Sequence, residues 1–451
     1  MRHTCLRWLA ASSLLIIAVY ACAATRPRYG GTLRISTSDA LTSLDPGEAD
    51  SILRRNLTRL IFDTLVVLDE DGAVQPSLAD SWTSSSGGQH WQFTLRHGIT
   101  FADGSALTSE VAASALRKTN PGWKVAAQAD VISIEIESPT LDFPAELALP
   151  RNAIVRRGEK LLGTGPFVVS QWEPRHRLTL VARDDYRNGR VFLDAIELEM
   201  NKSLREQNIA FDLGRTDVIE IAPEQARHAA TEGKKLANSS PTELMALWFA
   251  RDPQTEAEKK LREALSLSID RPLMNRVLLQ NDGEPAGSLL PTWMTGYGFV
   301  FSPEANQSRA KQLRSEAVQG RAWTLGYDSD DALARVVAER VLLNARDAGL
   351  NIQITTASSA DMRLVRTPLT FSYWRIELAE LFSALGISPV KVSTSSIENI
   401  YNTENSLLQS RRVIPLLHLR YVSGISANVH NWSMGRDGSW NVREVWLSGK
   451  Q

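Results

Sequence analysis

Gln75-Pro76-Ser77-Leu78-Ala79-Asp80-Ser81-Trp82, then Trp91-Gln92-Phe93-Thr94-Leu95-Arg96-His97-Gly98-Ile99-Thr100-Phe101-Ala102-Asp103-Gly104, then Leu107-Thr108-Ser109-Glu110-Val111, carry more architectural information than any other part of the chain. Trp91, Phe93 and Leu95 alternate with Gln92, Thr94 and Arg96, which gives a strand one apolar and one wet face. Ser84 to Gly88 supplies the turn before it, and Ala102-Asp103-Gly104 a second turn. Thr108 is placed to cap a helix from Ser109 to about Arg117, with Glu110 in its favourable first turn.

Upstream, Gly30 to Ser36 reads as a short strand and Ser43-Leu44-Asp45-Pro46 as a turn, followed by a mostly apolar run from Ile52 to Leu68. Downstream, Gly163-Thr164-Gly165-Pro166 introduces a hairpin in which Phe167, Val169 and Gln171 alternate with Val168, Ser170 and Trp172. Leu178 and Leu180 return it, and Ile196, Leu198 and Met200 make another strand. Leu261, Ala264, Leu265 and Ser268 form one stripe of a helix over 256–268, and Asp270-Arg271-Pro272 restarts it, since proline suits only a first turn. Trp323 to Tyr327 is a strand, Asp330 or Asp331 caps a helix burying Leu333, Val336, Val337 and Val341, and Gly349 ends it before Leu350, Ile352 and Ile354 alternate. Such a unit implies two parallel strands joined by a right-handed crossover. Hairpins mixed with crossovers make this an α/β chain.

With 451 residues, 43% hydrophobic and 22% charged, the chain exceeds one core, and two or three domains are expected. Arg2, His3 and Arg7 precede an apolar stretch from Leu9 to Ala24, too short to span a bilayer, which reads as a secretory leader. Two cleavage readings stand. Ala21-Cys22-Ala23 fits an ordinary signal peptidase site; Val19-Tyr20-Ala21-Cys22 resembles a lipoprotein box that would attach a lipid to Cys22. Both cysteines, Cys5 and Cys22, lie in this leader, so the mature chain has no disulfide. The 50 basic and 51 acidic residues nearly balance, which gives no footprint for nucleic acid.

Enzyme signatures are missing from the sequence. There is no G-x-S-x-G elbow, no H-E-x-x-H and no phosphate loop of the Walker type. No two histidines after His3 stand at i, i+4. His90 and His97 flank the first hairpin, where solvated loop positions account for them. Pro166 removes an amide donor that a phosphate cradle would need. Asp103 with Glu110, and Asp184 with Asp185, are carboxylate pairs that turns and a helix start explain. No cofactor is implied.

The signature segments from Gln75 to Val111 resemble those of the family 5 extracellular solute-binding proteins, the dipeptide-, oligopeptide- and nickel-binding components of ABC importers. Gly31-Thr32-Leu33, Ser43-Leu44-Asp45-Pro46, Gly163 to Phe167, Arg262-Glu263-Ala264-Leu265 with Ser268-Ile269-Asp270-Arg271, and Ala310-Lys311-Gln312-Leu313 agree in the same order. The resemblance runs from Arg28 to Ile354, and more loosely from Val422 to Leu447. It implies a two-lobed periplasmic binding protein type II fold (cluster C) with an extra small subdomain inserted in the first lobe. The expected division is a leader over 1–23, lobe I from 28–63, 163–255 and 422–451, the inserted subdomain over 64–162, and lobe II over 256–421. The stretch before Gly163 is shorter than is usual in the family, and Leu364 to Pro415 carries few family features.

The resemblance further implies an exported, non-enzymatic, monomeric protein of the periplasm, either free or anchored by Cys22. It would close on a small ligand, a di- or oligopeptide, and deliver it to ABC permease subunits in the inner membrane. Other family members bind sugars, nickel chelates or haem, and a sensory or ligand-free role is the remaining alternative. Peptide-binding members carry a Trp followed three residues later by an Asp that holds the peptide's amino group. Trp374-Arg375-Ile376-Glu377 keeps that spacing with glutamate; the competing reading is a surface helix with Glu377 and Glu380 on its wet side. On the first reading Glu377 meets the ammonium, and Arg366 or Arg375 the carboxylate through a two-pronged fork. Trp248, Trp293, Tyr297, Tyr373 and Trp374 are the candidate cleft aromatics, with core packing as the competing reading for each.

Overall fold

The computed structural model describes residues 26–48, 51–140, 142–369, 374–387 and 397–449. The expected leader with Cys22, Tyr373, and the side chain of Arg375 lie outside the described residues.

One eleven-stranded sheet forms the backbone of the molecule, in the order 167–173, 177–182, 195–199, 32–36, 218–221, 413–425, 235–249, 362–368, 323–326, 352–355, with 284–285 pairing on 413–425. The elements arise where the residue pattern places them. Phe167–Glu173 and Arg177–Ala182 form the expected hairpin. Trp323–Gly326 and Ile352–Thr355 are parallel, joined through helix Ala332–Asp347, whose N-cap is Asp331. Gly349 ends that crossover at φ +79°, a left-handed conformation that favours glycine.

Two long strands, Lys235–Phe249 and Val413–Ile425, run antiparallel through the middle and belong to both halves of the sheet. Lys235 to Asn238 pair at the end where 413–425 also meets 218–221, and Glu243 to Phe249 pair with 362–368. Leu244 to Leu247 and Val413 to Leu419 are buried without alternation, as in strands covered on both faces.

The three largest buried clusters each organise one body of the described chain. Leu33, Ile35, Ile196 and Leu198 pack with Leu53, Leu57 and Leu60 of helix Ile52–Ile61. Leu325, Val337, Val341 and Ile352 pack with Leu261 and Leu265. Between them in sequence lies a four-stranded antiparallel sheet in the order 79–85, 90–95, 131–135, 124–128, with helix Ser109–Thr119 against it and Phe93, Ile132 and Leu116 in its core. Thr108 caps that helix by accepting from the Val111 amide. Met245, Leu247 and Phe249 already belong to the second-lobe core, so this crossing strand changes bodies before residue 255.

The insertion leaves and rejoins the first body at one tight junction. Gly165 N donates to Ile61 O at 3.0 Å, and the Thr164 hydroxyl donates to Asp63 at 2.8 Å. A Cβ on Gly163 would stand 1.9 Å from Ile61 O, which explains the glycine there by close backbone approach.

Candidate functional site

The strand directions define a crevice. Strands 32–36, 195–199 and 218–221 are mutually parallel, and 235–249 runs the same way through its shared antiparallel partner 413–425. Strands 323–326, 352–355 and 362–368 are parallel to one another and antiparallel to 235–249. The carboxyl ends of the two sets therefore point at each other across the crossing strands. In open α/β sheets that is where ligands bind.

The first edge is polar and tightly hydrogen-bonded. Glu220 accepts from the Thr37 hydroxyl at 2.6 Å, the Ser38 amide at 2.8 Å and hydroxyl at 2.6 Å, Gln207 Nε2 at 3.0 Å, and the Tyr421 hydroxyl at 3.3 Å. Burial, then the negative charges of Glu220 and Asp39, push the Tyr421 phenol far up, so it stays a donor. Asp39, an exposed residue beside this network, is raised by desolvation among its neighbours and by the charge of Glu220. Glu224, on the turn after strand 218–221, has one carboxylate oxygen buried without a hydrogen bond, and burial raises its pKa. Its electrostatic neighbours are Arg366 and Asp331 of the opposite edge.

On that opposite edge Arg366 is bound on three sides. Nε and Nη2 form a fork on Glu243 at 2.9 and 2.5 Å, and Nη1 reaches Asp331 at 2.9 Å. Burial opposes its charge, but the two carboxylates outweigh that and raise its pKa. The fork expected to meet a solute carboxylate is thus already filled by protein carboxylates.

Trp248, Tyr297 and Trp374 come together around one apolar cluster with Leu378, Leu381 and Phe382 of helix Trp374–Ala384. Trp248 Nε1 donates to Leu385 O at 2.9 Å. Trp293 Nε1 donates to Pro241 O at 2.8 Å, pinning it to the crossing strand. Glu377 is 1% exposed, so the wet-face reading of this helix does not hold for it. Glu380 is the acid of that helix that reaches solvent, and it pairs with Arg151.

Tyr297 donates to Glu404, a buried acid on helix Ile397–Gln409. Glu404 also accepts the amides of Leu289 and Leu290 at 3.0 and 2.8 Å. Burial raises Glu404 to about 7 despite those donors. His418, bonded to Leu289 O at 3.0 Å, is lowered to about 4 by burial. Among the described residues, no group of three or more His, Cys, Asp or Glu is placed to hold a metal ion, and no helix is long and apolar enough to cross a membrane.

Glu220, Tyr421, Glu224, Glu243, Asp331 and Glu404 did not emerge as site residues from the sequence. The one available signal was Glu220, a lone acid within the apolar strand Val218–Ile221.

Comparison with known proteins agrees with this architecture. Residues 73–377 match the model of the bacterial extracellular solute-binding proteins, family 5. A nickel-binding periplasmic protein of Escherichia coli K12 is 24% identical over 348 residues, 65% of this chain and 65% of that protein, just under two thirds of its length. The glutathione-binding protein GsiB of Salmonella paratyphi A is 23% identical over 380 residues, 77% of this chain and 73% of that protein. The structure of the oligopeptide-binding protein AppA of Bacillus subtilis in complex with a nonapeptide superposes with a TM-score of 0.77 at 17% identity, covering 94% of this chain and all of that one. The chain belongs to the bacterial extracellular solute-binding proteins, family 5, a family of binding proteins rather than enzymes, and has their two-lobed α/β fold.

Proposed function

We propose that this chain is the solute-binding component of an ABC importer, and that its solute is a small unblocked peptide captured outside the cytoplasm and passed to a membrane permease. The observation that carries the reading is the pair of facing carboxyl edges, with Glu377 on the helix that follows one of them. We take 28–63, 163–255 and 422–451 as one lobe, 64–162 as its inserted subdomain and 256–421 as the other lobe, with the second half of the crossing strand 235–249 packing into the core of that other lobe.

Relatives that bind glutathione or an oligopeptide support a peptide-like solute. A charged ammonium leaving water needs an opposite charge. Glu377 supplies it, with Trp374 as its apolar neighbour on the same helix. Asp39 and Glu224 add negative charge to the first edge. Main-chain donors and acceptors at strand ends pair with peptide amides irrespective of side chains, which makes sequence tolerance an expected property. Micromolar affinity requires roughly −8 kcal/mol, and a few charge-assisted bonds at roughly 1.5–3 kcal/mol each are sufficient after association costs.

Calorimetric titration tests this with the tripeptide Ala-Phe-Ala, its N-acetylated form, reduced glutathione, and nickel(II) with histidine. The free tripeptide binds and the acetylated one loses at least tenfold. Glu377→Gln removes that discrimination. Tight binding of the nickel–histidine mixture with none by either peptide would replace the peptide reading by a chelate reading.

A further inference from the structure

Arg151 joins two bodies that the chain keeps far apart in sequence. Its Nη1 donates to Glu380 of the second-lobe helix at 2.7 Å, and its Nη2 to Glu146 of its own subdomain at 2.6 Å. Both partners are anchored by packing and hydrogen bonds in their own bodies. Arg151 sits on the turn Pro150–Asn152, where Asn152, 1% exposed, donates to Glu146 O at 2.6 Å and accepts from Asn120 Nδ2 at 2.8 Å. Glu380 is carried by a helix whose Leu378, Leu381 and Phe382 are buried in the second lobe. The pair stands at a hollow of about 650 Å³ lined from the subdomain by Trp123, Asp142 and Glu146 and from the helix by Ala379 and Glu380.

We propose that Arg151 and Glu380 form a closing latch, through which the inserted subdomain holds the second lobe in the shut arrangement. This rests on the solute-binding reading for its purpose, though not for its geometry. When the lobes part, Glu380 leaves and Arg151 keeps Glu146, so opening bares no isolated charge in a buried place. That makes the latch reversible and weak, as a partly exposed ion pair should be. Glu380 lies three residues beyond Glu377, nearly one helical turn, so the helix that would hold the solute's ammonium is also the helix the subdomain grips.

The test uses the chain without its expected leader, which then has no cysteine of its own. Spin labels at Ser84→Cys on the subdomain and Lys311→Cys on the second lobe report the separation of the two bodies. Arg151→Ala and Glu380→Ala each move the distance distribution outward, changing the open-to-shut ratio about two- to fivefold. The double variant is no more open than either single one, and the exchange Arg151→Glu with Glu380→Arg moves it back. Unchanged distributions in both single variants, or additive opening in the double, would overturn the latch. If the distribution responds to these variants but not to Ala-Phe-Ala, glutathione or nickel–histidine, the latch stands and the solute reading is the part that fails.

Discussion

The two edges that face each other are built of different materials. On the first, Glu220 is held by Thr37, Ser38, Gln207 and Tyr421, and Ser38 is exposed, so the network reaches water. Behind the second, Glu377 and Glu404 are 1% and 0% exposed, on helices that pack onto the apolar cluster holding Trp248, Tyr297 and Trp374. An acid on the wet edge can exchange a lost partner for water. An acid on the dry edge cannot, and its partners are stranded with it when it is removed. On the proposed function, this suits the first edge to varied solutes and the second to holding a fixed charge in a fixed place.

That contrast predicts a large asymmetry in stability. Glu404→Ala leaves two amides and a phenol buried without an acceptor and lowers unfolding free energy by about 3–5 kcal/mol, read by urea denaturation. Glu220→Ala loses roughly half as much, because some of its donors reach solvent. Equal losses would mean that the two edges do not differ in this way.

The pH profile sharpens the same point. Glu404 ionises near 7 in the fold against 4.5 in the open chain, so its contribution is full below pH 4.5 and declines as pH rises toward 7. His418 ionises near 4 against 6.5, so its contribution grows as pH rises from 4 to 6.5. In the native chain the two oppose each other over pH 4.5–6.5. Glu404→Gln removes one of them, and the variant gains on the order of 2–3 kcal/mol of stability between pH 4.5 and 6.5 while the native protein stays flatter. Parallel profiles would contradict the burial assigned to Glu404.

Smaller effects follow on the ion triad and its neighbour. Arg366→Lys cannot fork onto Glu243 while holding Asp331, and costs about 1–2 kcal/mol of stability in the same denaturation. Trp293→Phe removes one bond to Pro241 O and costs about 1 kcal/mol or less. A Trp293→Phe loss larger than that of Arg366→Lys would mean that the triad is not a fixed part of the second edge.

Much of the fold was readable because its signals are local. Trp91, Phe93 and Leu95 alternate, Thr108 and Asp331 stand at helix starts, and Gly349 stands at a helix end. The crossing strands were not readable in this way. Leu244–Leu247 and Val413–Leu419 of these strands are buried on both faces, so they lack the alternation that marks a half-buried strand. The site was less legible than the fold for a related reason. The partners of Arg366 lie 123 and 35 residues away, and those of Glu404 107, 114 and 115. No spacing rule reaches that far. Arg366 was legible as a fork for a carboxylate, but that the carboxylates would be the protein's own became visible only when the strands were paired.

On the proposed function, a solute sits between the two carboxyl edges. Hydrogen exchange followed by mass spectrometry, with and without saturating Ala-Phe-Ala, addresses it most directly. Exchange is expected to slow at 37–39 and 220–225 on one side and at 327–331 and 366–369 on the other. Slowing confined to the separate hollow of about 400 Å³ around Arg55, Arg59 and Arg436, with both edges unchanged, would contradict it.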